Sequence, residues 1–351
     1  MKNIRQISVS SIFMLIFLNI FTVCNRDKGV INTSENKEYS GTYCINEQNI
    51  EIVINQSGNN VTFTIMSGVE ITGTGAITGR TMTLTGNTTD KATFTAILVF
   101  TNTGQSFSGT YRVTDASGIV SGEEMLEGTK GRCAVYDIGV NGIPKLTGKD
   151  FTQLNKIHRI SRFRSGIGHS YTDRFETCRS MKHYYSTLES FRKNNTIEIY
   201  SPVAGIIASV SNDGHGTSIG LNNKQIRIRP DNQPAFIFRI FHTDLVSSNI
   251  AKGKKVQAGE LIGYARLFYE DLAEYADSFD IAVEVNTPSG IKLVSYFETM
   301  EDAVFNTYIA RGAFSRQDFI ITREARDSDP LKCNGETFIT SGTINNWVIL
   351  N

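Results

Sequence analysis

Proline is scarce in this chain, at 6 of 351 residues, so extended proline-rich stalks are excluded. Excess charge of either sign is missing too. Lys and Arg total 35, Asp and Glu total 35, and the formal net charge is zero. Dedicated nucleic-acid binders and polybasic membrane-surface proteins both carry a basic surplus, so neither class fits. No run beyond the amino terminus is long enough to cross a bilayer as a helix. Histidine and cysteine are few, five of each, so each can be weighed singly. What is present is apolar: 40% of residues are hydrophobic and 10% aromatic. That suffices for sizeable cores, and the length suits two or three domains.

The odd cysteine count has a ready explanation at the start of the chain. Lys2 and Arg5 precede an apolar run, Ile12 to Val23, and Cys24 follows directly. The run is too short for a membrane span and has the length of a signal-peptide core. A cysteine closing such a core resembles the lipobox of bacterial lipoproteins. That resemblance implies cleavage and lipidation at Cys24, export to the cell envelope and membrane attachment through the lipid. A plain secretory signal is the alternative. Residues 25–37 are polar and aperiodic and read as a tether. Four cysteines then remain, Cys44, Cys133, Cys178 and Cys333, an even number suited to an oxidising compartment. A staple between Cys44 and Cys133 would join the ends of the first domain, and Cys178 and Cys333 are a further candidate pair. Spacing alone does not assign the pairings.

Residues 38–135 are rich in Gly, Thr, Ser and Asn and alternate at period two. Examples are Val61-Thr62-Phe63-Thr64-Ile65, Thr81-Met82-Thr83-Leu84-Thr85 and Thr93-Phe94-Thr95-Ala96-Ile97. Turn residues separate them, as in Ser57-Gly58-Asn59-Asn60 and Thr78-Gly79-Arg80. This predicts antiparallel structure of about eight strands, an up-and-down barrel or a small sandwich. Phe63, Ile65, Phe94 and Phe107 read as packed core in preference to the lining of a ligand-carrying barrel. Residues 136–165 read as a connector, with a short helix expected within 150–164. Residues 301–351 read as a mixed α/β tail, helical over 300–310 with short strands at 319–322 and 338–340.

Residues 166–300 carry the strongest signal. Ile199-Tyr200-Ser201-Pro202-Val203-Ala204-Gly205 reads as strand and tight turn, and Phe236 to His242 as another strand. Lys252-Gly253-Lys254-Lys255-Val256-Gln257-Ala258-Gly259-Glu260-Leu261-Ile262-Gly263 is a glycine-punctuated hairpin, and Phe279 to Val285 a last strand. With His169-Ser170-Tyr171-Thr172-Asp173 ahead of them, these segments resemble the lysostaphin/LytM-type zinc metallopeptidase domain, which cleaves peptide crosslinks in bacterial cell walls. Biotinyl/lipoyl-like hammerhead folds share the hairpin and are the structural alternative. The alternation over 38–135 and this resemblance together give a mainly β chain: an N-terminal antiparallel β barrel or sandwich, then, as the resemblance implies, a lysostaphin-like β-sheet domain (the duplicated hybrid motif), then the short mixed α/β tail.

It also implies site roles. His169 and Asp173 match two of three zinc ligands, and His242 matches the family's catalytic histidine. The family's closing His-x-His is here Asp280-Ile281-Ala282, so Asp280 replaces a catalytic partner and Ala282 the third ligand. A catalytic zinc takes three protein ligands and keeps a fourth position for water, and Ala282 has no donor atom. Asp280, His183 or Cys178 are the candidate substitutes. In the plainer reading His169 and Asp173 form a hydrogen-bonded loop pair and His242 is a hydrogen-bonding strand residue. His183 then belongs to an aromatic cluster, and His158 and His215 are solvated. The expectation is a cell-envelope protein whose peptidase-like domain is non-catalytic and binds peptidoglycan, glycan or a protein partner. The alternative is an active zinc peptidase with a rearranged ligand set.

Overall fold

The alternating runs of the first half become eight antiparallel strands: β1 (Gly41–Ile45), β2 (Ile50–Ser57), β3 (Asn60–Met66), β4 (Glu70–Thr78), β5 (Thr81–Thr88), β6 (Thr93–Phe100), β7 (Ser106–Thr114) and β8 (Glu124–Lys130). Each pairs with its neighbour in sequence, and β1 closes on β8, so these strands form a closed barrel. The computed structural model describes residues 38–351 apart from 46–48, 67–69, 89–90, 117, 121–122 and 215–216. Cys24, the signal-like segment, the tether 25–37 and His215 lie outside the described residues. Those from 38 onward belong to one compact unit.

Period two decides what each strand buries. In β5, Met82, Leu84 and Gly86 point inward while Thr81, Thr83 and Thr85 face out, β-branched residues on a pleated surface. Phe63, Ile65, Phe94 and Phe107 are buried with Tyr43, Leu84 and Leu98 in a packed interior. Gly73 and Gly86 oppose each other across β4 and β5. A Cβ on Gly73 would stand 2.7 Å from the Phe63 ring and one on Gly86 2.8 Å from it, so both positions give the ring its room. A disulfide joins Cys44 on β1 to Cys133 just past β8.

The second half is organised on one large sheet. Its strands are β9 (Ile157–Ser161), β10 (His183–Thr187), β11 (Glu198–Tyr200), β12 (Gly205–Asn212), β13 (Lys224–Pro230), β14 (Phe236–Leu245), β15 (Lys255–Val256) and β16 (Leu261–Ala265). After a small hairpin of β17 (Phe268–Tyr269) and β18 (Glu274–Tyr275) come β19 (Ser278–Thr287) and β20 (Gly290–Val294). Two short strands, β21 (Cys333–Asn334) and β22 (Thr337–Phe338), precede β23 (Trp347–Ile349). The main path runs β15-β12-β13-β14-β19-β10-β9-β23, with β16 bridging β11 and β14, and β20 added to β19. The chain is mainly β, as its patterning predicts.

Two local expectations are corrected. Residues 150–164 hold no α-helix: a 3-10 turn at Leu154–Lys156 leads into β9, whose Ile157 and Ile160 are buried in the main core. Residues 319–322 are not a strand. Ser315 and Asp318 form a capping box on a 3-10 helix, Arg316–Phe319, which brings Phe319 flat against Phe297 at 3.7 Å. The helix expected over 300–310 is present at Asp302–Ile309. Because β9 pairs with both β10 and β23, connector and tail complete the second sheet instead of flanking it. The barrel meets this sheet through Asn49, which donates to the Pro234 carbonyl at 3.0 Å, and through a Lys252–Glu127 ion pair at 2.7 Å.

One carboxyl is enclosed where connector, sheet and tail helix meet. Asp150 Oδ2 accepts from the Tyr308 hydroxyl at 2.5 Å, and Oδ1 accepts from the Phe151 amide at 2.8 Å. Burial raises Asp150 to about 6, against the pull of these donors. A carboxyl raised on folding contributes stability below its unfolded pKa, and that stability is lost as pH rises through the folded value. Asp150→Asn should therefore gain stability relative to the parent between pH 4 and pH 7, by at most about 3 kcal/mol. Urea unfolding of both proteins at the two pH values checks this. An unchanged difference would refute it.

Candidate functional site

The two faces of β14 and β19 have different fates. Phe236, Phe238 and Ile240 with Phe279, Ile281, Val283 and Val285 enter the main core. The opposite face carries Arg239 and Phe241 from β14, and Asp280, Ala282 and Glu284 from β19. Lys182 and Tyr184 of the neighbouring segment share that face. Tyr184 lies directly across from Asp280, and Lys182, one residue before His183, continues that register to Ala282.

His242 reaches this face because of a bulge. The β13–β14 register shifts between the pairs Ile226–Ile240 and Lys224–Thr243, and His242 has φ 52°. Such an extra residue re-aims a side chain out of strict alternation. His242 N donates to Asp213 Oδ2 at 3.0 Å, its Nδ1 lies 2.9 Å from the Tyr269 hydroxyl, and its Nε2 lies 3.3 Å from Asp280 Oδ1. The two ring nitrogens thus face different partners, Nδ1 the Tyr269 hydroxyl and the Asp213 carboxylate, Nε2 the Asp280 carboxylate. Burial raises the Tyr269 hydroxyl, keeping it a donor.

At the centre lies a residue that sequence reasoning missed. Lys182 Nζ is 2.7 Å from Asp280 Oδ2 and 3.3 Å from His169 Nε2. The side chains are 2% and 0% exposed for Lys182 and Asp280. The ammonium also sits 3.7 Å from the Phe241 ring centroid and 4.6 Å from that of Tyr171, a desolvated cation–π arrangement. Burial and Lys182 together lower the His169 pKa. That keeps its ring neutral and able to accept from the ammonium, while Nδ1 faces the Ser170 carbonyl at 3.3 Å. His169 and Asp280 therefore converge on a lysine ammonium, and His242 joins them through the other oxygen of Asp280.

The remaining candidates are elsewhere. Both oxygens of Asp173 are taken by backbone: Oδ1 accepts from Phe175 N at 2.9 Å and Oδ2 from Leu293 N at 3.0 Å. Asp173 pins the His169 loop to β20. Ala282 packs with Phe163, Met181, Phe241 and Leu293, apolar surroundings that offer a cation no ligand. Two suggested substitutes are corrected. Cys178 is bonded to Cys333 and has no thiolate to offer. His183 alternates with Lys182 along the chain, so it faces the other side of the sheet. There its ring nitrogens lie 2.9 Å from the Ser161 carbonyl and 2.9 Å from Ser295 Oγ, and burial pushes it down to about 4. His158 is exposed, on β9. Among the described residues no three His, Cys, Asp or Glu side chains are gathered as a metal requires.

A row of cations crosses the sheet at the level of Ala282. Arg227 pairs with Arg239, and Arg239 pairs with Ala282, beyond which stands Lys182. Arg239 donates to the Tyr171 hydroxyl at 2.7 Å and to Glu284 Oε1 at 3.2 Å. Arg227 and Arg239 hold the Glu284 carboxyl below its usual range although burial opposes them. A signal for this row exists in the sequence: arginines at alternate positions of apolar strands, in Gln225-Ile226-Arg227-Ile228-Arg229 and Phe238-Arg239-Ile240.

No family profile and no curated protein matches the chain. Two crystal structures of Helicobacter pylori Csd3, orthorhombic and hexagonal, are similar to it at 10% identity and a TM-score of 0.29. The similarity covers 72% of this chain and 76% and 74% of those chains. So distant a likeness carries no functional argument.

The buried pair makes a stability prediction. Removing one member leaves the other charged and unpaired in a dry site, typically a loss of about 3–5 kcal/mol. Lys182→Met and Asp280→Asn should each cost that order. The double variant should cost clearly less than the sum, which a double-mutant cycle by chemical unfolding measures. Additive losses would mean that the pair is not coupled.

Proposed function

We propose that the second domain is a peptidase-like scaffold that has exchanged its metal for an internal cation and acts by binding. The observation that carries this reading is Lys182 Nζ, enclosed between Asp280, His169 and the Phe241 ring. An ammonium at that point supplies one positive charge and three donors, which suits a carboxylate and a neutral imidazole. It offers no open coordination position, so it neither activates water nor polarises a carbonyl as zinc does. With Arg239 on the other flank, Ala282 lies between two cations, and a dication there would meet repulsion from both. The competing zinc-peptidase reading needs a third ligand. Of its candidates, Cys178 is spent in a disulfide, His183 is turned away, and Asp280 is paired with Lys182.

The ligand class that fits the resemblance is cell-wall peptide, glycan or an envelope protein, with the chain tethered through lipid on Cys24. Export is supported by the pairing of all four cysteines after Cys24, Cys44–Cys133 and Cys178–Cys333, as an oxidising compartment allows.

Metal content of the purified protein, measured by plasma mass spectrometry after zinc loading and desalting, tests the central claim. Less than about one zinc per ten chains is expected, with no chelator-sensitive hydrolysis of cell walls. One tightly held zinc per chain would overturn the reading.

A further inference from the structure

Arg227 and Arg239 are direct partners across β13 and β14, so their guanidinium groups leave the sheet side by side. They are not equally provided for. Arg239 donates to Gln225 Oε1 at 2.6 and 2.8 Å, to the Tyr171 hydroxyl and to Glu284. Among the described residues Arg227 donates to nothing, and its Nε is sealed from solvent without a partner. Its charged neighbours are Arg239 and, on the opposing side, Glu284, which Arg239 already holds. A guanidinium carries five donors in a planar fork and keeps its charge. Left unsatisfied while desolvated, such a group costs stability, and a bound acceptor relieves that cost.

Space for an acceptor exists. Arg227 lines a cleft of about 860 Å³ between the sheet and the barrel. Lys224 and Lys252 lie along its sheet side, and Tyr111, Glu123 and Glu124 form its barrel side. The barrel carboxylates are engaged where they stand. Glu124 accepts from the Tyr111 hydroxyl at 2.6 Å, and Glu123 accepts from Thr110 Oγ1 at 2.8 Å and pairs with Arg112 at 3.5 Å. The two lysines are engaged as well, Lys224 with Asn212 and Lys252 with Glu127. Among the described cationic side chains that line the cleft, the one left without an acceptor is Arg227.

We propose that this cleft binds an oxyanion, the carboxylate or phosphate group of a small solute, with Arg227 as its principal donor. The inference rests on the reading of the sheet as a binding surface and assigns that surface a ligand chemistry. A guanidinium suits both anions, since it donates two parallel hydrogen bonds to a carboxylate edge or to two phosphate oxygens. Lys224 and Lys252 add attraction along the approach.

Thermal unfolding of the full chain in sodium chloride, sodium acetate and sodium phosphate at equal ionic strength tests the proposal. Acetate or phosphate is expected to raise the midpoint above chloride, because a ligand that binds only the folded state stabilises it. A larger rise in acetate assigns a carboxylate, a larger rise in phosphate a phosphate. Arg227→Gln should abolish the rise. Arg227→Lys, which keeps charge and volume but loses the fork, should weaken the apparent affinity by about tenfold and covers the case in which the glutamine variant does not fold. Midpoints equal to chloride in both anions, or a rise undiminished in Arg227→Lys, would overturn the proposal. Zinc content read on the same preparation separates this failure from failure of the binding reading itself.

Discussion

The large sheet of the second half is arranged around one buried ion pair, Lys182 with Asp280. Two charges withdrawn from water at this depth are tolerable only with close geometry and further partners. The partners are present: His169 takes another ammonium proton, the Phe241 and Tyr171 rings face the cation, and His242 reaches the far oxygen of Asp280. Separate loops and strands are thereby committed to one point. The absence of a donor at Ala282 belongs to the same arrangement. Ala282 stands between Arg239 on β14 and Lys182 ahead of β10, so a cation lies on each side of it.

The fold delivers these groups by ordinary means. Alternation along β19 puts Asp280, Ala282 and Glu284 on one face and the apolar residues between them in the core. A bulge turns His242 out of that alternation, and an Asp213 carboxylate holds the displaced backbone. The loop bearing His169 is fixed at several points. Asp173 accepts from the Leu293 amide, Cys178 is bonded to Cys333, and the Ser170 amide donates to the Glu336 carbonyl at 2.7 Å. The tail therefore supports the site: Cys333 on β21 and Glu336 in the β21–β22 turn both hold the segment that carries His169.

Much of the architecture was legible in the chain because its causes are local. Period-two alternation with glycine and asparagine turns made the barrel readable, since each strand needs only its own pattern to choose an inner face. His242 and Asp280 were readable as neighbours through motif order. What stayed hidden depended on distant partners. Ile157–Ser161 looks helical in isolation, and it is a strand because β10 and β23 supply hydrogen bonds on both edges. Asp173 looks like a ligand beside His169 until the Leu293 amide, from the far end of the domain, claims its oxygen. Lys182 carries no local mark, because one lysine between a methionine and a histidine reads as surface until the register sets it opposite Ala282.

By itself the sequence determined the strand patterning, the even set of four cysteines after Cys24 and the missing donor at position 282, because these reside in residue identity and spacing. Only the tertiary structure decided which charge fills the centre of the site. Lys182, Asp280, His169 and His242 come from separate segments, and an ion pair exists only at the separation that packing imposes. The same holds for Arg227, whose side chain is ordinary in its strand and becomes an unfilled donor only where the barrel closes over it.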